Sequence, residues 1–111
     1  MSTIPLQRLR SNTKGPYATM TAAGTTQADA AEMTADEVLV TSGAEDSGVL
    51  LPTLNTRDEC IVCNGLNVTI KVYPRSGGQL NNSTANLPLI LAAFSAARFR
   101  AVGGVHVLAF V

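Results

Sequence analysis

Two cysteines stand three residues apart in ECIVCNG (59–65), as Cys60 and Cys63. A Cys-x-x-Cys pair does chemistry in two settings. At a helix N-terminus the dipole lowers a thiol pKa for disulfide exchange. Beside two further ligands the thiolates hold zinc. Neither setting is present here. Ile61 and Val62 separate the thiols, and their branched side chains favour a strand. In a strand, side chains three apart point to opposite faces, so the thiols neither chelate one ion nor close a disulfide. His106, the single histidine, lies between Val105 and Val107 with no second imidazole to complete a metal set. The expected roles are two free structural thiols and a packed or interfacial histidine.

The remaining candidates fail on geometry. Ser47 and Ser76 fall in turns with no base placed beside them. The acid pairs Glu45-Asp46 and Asp58-Glu59 lack the ligand spacing of a calcium loop. SGG (76–78) and AVGG (101–104) are not phosphate loops, which need GxxxxGK[ST]. Tyr17 and Tyr73 are too few for a base-stacking platform, and the basic residues form no stripe. The expectation is therefore no catalytic residue, no cofactor, no metal, no small-molecule substrate and no nucleic acid.

The elements that hold these residues read as strands. EVLVT (37–41), GVLLP (48–52), ECIVCNG, NVTIKVY (67–73), LPLILAA (87–93), AARFRAV (96–102) and VHVLAFV (105–111) are short and rich in branched residues. In NVTIKVY, Val68, Ile70 and Val72 share one face, predicting a central strand that Pro74 ends. Asn64-Gly65 predicts a hairpin between this strand and ECIVCN. TTQADAAEMTADE (25–37) reads as helix by propensity and alternates poorly. AARFRAV sets Ala97, Phe99 and Ala101 against Arg98 and Arg100 on the other face. VHVLAFV is apolar on both faces and needs cover from a central sheet position or an oligomer interface. Short strands with turns every 8–12 residues indicate a β-sandwich, jelly roll or small barrel.

The chain has 111 residues, which suits one domain. It is 46% hydrophobic but only 5% aromatic and has no tryptophan, so the core must be built from Val, Leu, Ile and Ala. Charged residues make up 14%, against about 25% in typical soluble domains, which suggests a surface that faces other protein. The charges are segregated. Residues 1–20 carry Arg8, Arg10 and Lys14 and no acid, and residues 21–60 carry all eight acids against Arg57 alone. Residues 1–20, with Pro5, Gly15 and Pro16, read as an extended arm held by a neighbouring chain. There is no apolar secretory region near the start and no run of about 18 apolar residues to span a membrane.

In order, TAAGTTQADA (21–30), GVLLP (48–52), CNGLNVTIKVYPRSGGQLNNSTAN (63–86) and LAAFSAARF (91–99) resemble small structural proteins of tailed bacteriophage virions. The group includes capsid decoration (cement) proteins and fibre-head domains. The shared layout is a V-x-V-Y-P strand, an x-G-G-x-I-N turn, a polar loop with Ala-Asn, and a strand-forming L-A-A-G-x-x-A-x-F. Leu80 replaces the commoner isoleucine, Phe94-Ser95 replaces a glycine-containing turn, and the last strand lacks tryptophan.

The resemblance implies an all-β protein: a single β-sandwich domain of jelly-roll type (21–111) with an extended N-terminal arm (1–20). It implies a homotrimer that binds the major capsid protein on the outer surface of the shell. The chain would be made in the bacterial host cytoplasm, with no membrane partner. It also implies strand in place of helix around 25–35. On this reading Ile4, Leu6, Arg8, Arg10 and Lys14 of the arm contact the capsid, and Val105, Val107, Leu108 and Phe110 form the trimer or core interface. The second expectation is a trimeric head or tip domain of a fibre or spike, with loop 81–86 recognising a host receptor or glycan.

Overall fold

The computed structural model describes residues 17–103 and 105–111. Among them the chain forms ten strands and no helix. They are β1 (Tyr17–Thr21), β2 (Ala31–Glu32), β3 (Glu37–Ser42), β4 (Gly48–Leu50), β5 (Glu59–Asn64), β6 (Ile70–Tyr73), β7 (Gln79–Leu80), β8 (Leu89–Leu91), β9 (Ala96–Gly103) and β10 (His106–Phe110). Two-residue alternation decides their faces. Val38 and Val40 of β3, Cys60 and Val62 of β5, and Ala97, Phe99 and Ala101 of β9 all point into one core. Ile70 and Val72 of β6 meet them from the opposing sheet.

The strands divide into a six-stranded sheet, β1-β3-β5-β9-β10-β7, and a four-stranded sheet, β2-β4-β6-β8. From β1 to β6 the chain alternates between the two sheets, and each strand runs parallel to the one laid down two earlier. Parallel neighbours need a crossover connection. Here the crossover is itself a strand in the opposite sheet, so the first half winds as a solenoid-like coil. The last strands close it with antiparallel pairs, β5–β9, β9–β10 and β6–β8.

The all-β, two-sheet, single-domain expectation is met, with one main core and a small second cluster of Ala30, Leu50 and Tyr73. The jelly-roll connectivity is corrected, because a jelly roll is made of antiparallel Greek keys. Here β1–β3, β3–β5, β2–β4, β4–β6 and β7–β10 all pair in parallel.

The hairpin expected at Asn64-Gly65 is also corrected, since β5 and β6 belong to different sheets. Asn64, buried at the end of β5, holds a corner instead. Its Nδ2 donates to the carbonyls of Val68 at 2.8 Å and Ala92 at 3.0 Å, and its Oδ1 accepts from the Leu66 amide at 3.0 Å. The Gly65 amide still donates to Val40 of β3, so the chain leaves one sheet before it joins the other. β6 occupies an interior place between β4 and β8, with Ile70 and Val72 fully buried. Val68 lies ahead of the strand and is half-buried. Pro74 follows the last residue of β6, as expected.

Residues 25–30 are turn and bend, not helix, and β2 follows at once. The Asp29 carboxylate accepts from the amides of Thr25 at 3.1 Å and Thr26 at 2.8 Å and from the Thr26 hydroxyl at 2.8 Å. Such side-chain bonds compete directly with a helical ladder. Gly24 opens this turn at φ 80°, and a Cβ there would run into the Asp29 carbonyl oxygen.

The Thr26 amide, then the Thr26 hydroxyl, hold the Asp29 carboxyl below its ordinary value of 3.8. The folded pKa is depressed, so the turn's stabilisation is present above 3.8 and fades as pH falls through the lowered folded value. An acid titration of the Thr25 and Thr26 amide signals should show a midpoint below 3.8, and Asp29→Asn should abolish that step.

β1 takes in Tyr17 to Met20, the last residues of the expected arm 1–20. Ile4, Leu6, Arg8, Arg10 and Lys14 lie outside the described residues.

Candidate interaction surface

The register of the large sheet places Tyr17, Glu37, Ile61, Arg98 and Phe110 side by side in one row across β1, β3, β5, β9 and β10. Their chain neighbours Val38, Val62 and Ala97 face the core, so this row faces outward. One step along, Thr19, Leu39, Cys63 and Ala96 make a second outward row. One step the other way, Glu59, Arg100 and Leu108 make a third.

Charge and aromatic contacts organise this face. Arg100 Nη1 donates to Glu59 Oε2 at 2.6 Å, and Arg98 Nε lies 3.9 Å from Glu59 Oε1. The Arg98 guanidinium carbon stands 4.9 Å from the centre of the Phe110 ring, a cation–π distance. Tyr17 is 56% exposed, Phe110 45% and Leu108 40%. Aromatic residues and arginine gathered on one face, with aliphatics between them, are what protein contact surfaces enrich.

The thiols sit as their spacing requires. Cys60 is buried in the core, and Cys63 is half-buried on the outer face. Burial first, and then the Glu37 charge, push the Cys63 thiol up, which keeps it protonated and a weak nucleophile at neutral pH. His106 is exposed at the start of β10. Among the described residues no three His, Cys, Asp or Glu side chains are grouped to hold a metal ion.

The four terminal residues expected to share an interface do not share a face. Val105 and Val107 line a cleft of about 360 Å³ with Leu51, Leu54, Pro74 and Arg75, whereas Leu108 and Phe110 stand on the outer sheet face. In the cleft wall, Arg75 Nε is buried without a hydrogen-bond partner, while its Nη2 reaches Glu32 at 3.4 Å. The cleft is apolar with one cation. Thr53 and Ser76 bring the hydroxyls of the lining, and His106 is exposed at the start of β10 between the cleft residues Val105 and Val107.

The last strand is covered on one side by β9 along its length, and on the other by β7 at His106 and Val107 alone. Beyond that point the Asn81 side chain takes the Ala109 amide at 2.8 Å. The outward arginines of β9 are legible in the sequence, whereas Tyr17 and Ile61 are not, because their place in the row depends on strand order.

No protein-family model, curated protein or solved structure matches this chain.

Proposed function

We propose that the chain is a non-enzymatic structural protein of a bacteriophage virion. In this reading it is a capsid decoration protein that binds the outer surface of the major capsid shell in many copies. It is made in the host cytoplasm and ends on the capsid exterior. The observation that carries the reading is the set of large apolar side chains left exposed on a small two-sheet body, Leu87, Ile90, Phe94 and Val105 among them. The sequence resemblance and the low charge content point the same way.

The mechanism is physical. Each bound copy buries apolar area and adds its binding free energy to the assembled shell, but not to its separated subunits. The shell then resists rupture under internal pressure. The N-terminal segment, with Arg8, Arg10 and Lys14 toward acidic capsid surface and Ile4 and Leu6 as apolar anchors, extends the contact to a neighbouring subunit. Three copies per site is the assembly that the resemblance implies.

Co-sedimentation of the full chain with shells of its own phage tests this. Saturable binding and a raised shell rupture temperature are expected. Deleting residues 1–16 should lower occupancy at least several-fold, and unchanged occupancy removes the arm from the mechanism. Shells that bind no chain overturn the reading. The second reading, a fibre or spike tip, draws on Asn82, Ser83 and Thr84, which are exposed at a loop tip. A virion map showing copies gathered at the tail, and none over the shell, selects it.

A further inference from the structure

We propose that the outer face of the six-stranded sheet docks on the same face of a second copy of this chain, about a two-fold axis running along the strands through Ile61. The argument is the order of the row. Read from β1 to β10 it runs Tyr17, Glu37, Ile61, Arg98, Phe110. Glu37 and Arg98 each lie one strand from Ile61, and Tyr17 and Phe110 each lie two. The row is symmetric in shape and antisymmetric in charge about its centre.

Rotation about an axis along the strands brings each position opposite its mirror position. Glu37 then meets the second copy's Arg98, Tyr17 meets Phe110, and Ile61 meets Ile61. The contact is isologous, so both charge pairs form twice and the assembly closes at two. An axis across the strands would set Glu37 on Glu37 and Arg98 on Arg98. The charges therefore choose between the two ways of stacking the faces.

The flanking rows agree. Leu39 falls opposite Ala96, and Cys63 falls opposite itself. Glu59 lies on the axis and faces its counterpart in the second copy, but Arg100 at 2.6 Å holds that charge in each copy, which leaves Arg98, at 3.9 Å, to meet Glu37. Across these rows Glu37 and Glu59 balance Arg98 and Arg100, so two faces meet without net charge.

Five strands spaced about 4.8 Å apart make the row roughly 20 Å wide. A patch that size sits at the small end of specific interfaces, so the pairing is looked for at tens to hundreds of micromolar. The second copy is favoured over an unrelated protein because the face carries its own complement. The proposal does not rest on the virion reading. A chain that pairs but binds no shell, or binds shells as a monomer, separates the two.

Sedimentation equilibrium of the full chain at tens to hundreds of micromolar tests the pairing. The expected mass is twice the 11.6 kDa of one chain. Glu37→Arg alone, or Arg98→Glu alone, should weaken pairing on the order of 100-fold by setting like charges opposite. Mixing the two single variants should restore it, because each copy then offers the charge its partner lacks. A double variant carrying both exchanges should pair like the parent. A monomer throughout the concentration range, a trimer, or a mixture that stays monomeric overturns the proposal. Both positions are exposed, so the fold is not at stake in either exchange.

Discussion

Asn64→Ala is expected to lower the unfolding free energy by about 3 kcal/mol, the larger part of it from polar groups left without partners. Asn64 is 2% exposed. Its side chain closes three breaks in the backbone ladders at once. It donates to Val68 O at 2.8 Å just before β6, and to Leu91 O at 3.3 Å and Ala92 O at 3.0 Å where β8 ends. It accepts from Leu66 N at 3.0 Å where the chain turns away from β5.

Truncation strands these groups at the junction of the two sheets. Each buried orphan costs about 1–3 kcal/mol, and partial entry of water holds the sum near the stated figure. Asn64→Asp keeps the volume but turns a carboxylate oxygen toward carbonyl oxygens, and it should be at least as damaging. Asn82→Ala, on the exposed tip of the next loop, should change stability by less than about 0.5 kcal/mol. Denaturant unfolding with an unchanged slope reads all three. A loss under about 1 kcal/mol for Asn64→Ala would mean that the corner is held by something else.

Asn64 also shows where sequence reading stopped. Alternation along a strand reveals which side chains are buried, because that depends only on the local pleat. Hence the inward Ile70, Val72 and Phe99, the outward Arg98 and Arg100, and the opposed thiols of Cys60 and Cys63 are all legible. Alternation is silent on which strand lies beside which. Asn64-Gly65 carries turn chemistry whether the chain folds back into a hairpin or crosses to another sheet. The difference lies in long-range partners, Val40 O for the Gly65 amide and Ala92 O for the Asn64 side chain.

The helix expected near residue 30 fails for a related reason. Propensity sums over side chains, while a single carboxylate, Asp29, gathers the Thr25 and Thr26 amides into a turn. The polar loop NNSTAN is exposed, as its composition suggests, and two of its asparagines use their side chains on backbone amides. Asn81 and Asn86 adopt φ of 55° and 72°, and their side chains take the Ala109 amide at 2.8 Å and the Gly77 amide at 2.6 Å. As for the candidate surface, the outward sense of Arg98 and Arg100 is readable from their own strand, whereas Tyr17 falls in the expected arm and the last strand is apolar on both faces. The symmetric row is not readable, because it exists only once β1, β3, β5, β9 and β10 are set in that order.

Phe99→Ala is expected to cost about 4 kcal/mol, the largest loss of any single core truncation among the described residues. Phe99 is the largest fully buried side chain among the described residues. It stands in β9 between Cys60 of β5 and Ala109 of β10, both small. Along its own strand its inward neighbours are Ala97 and Ala101, again small. One ring therefore fills space that five positions share. The facing sheet supplies Ile70, Val72 and Leu91, and the first two are β-branched and stiff at χ1. Such a setting relaxes poorly into a cavity, so the loss falls in the upper part of the usual range for Phe→Ala.

Phe99→Leu returns most of the volume and should cost about 1–1.5 kcal/mol. Phe94→Ala removes a side chain that is 73% exposed and should cost far less. The order Phe99 well above Phe94, read from denaturation midpoints, is the check, and a Phe99→Ala loss below about 2 kcal/mol sinks the argument. The cavity would also reach the outer face. Phe99 lies between Arg98 and Arg100 in sequence and anchors the pleat that holds both outward. A softened β9 should therefore loosen the Arg98–Phe110 stacking and the Glu59 pairs before the sheet itself separates.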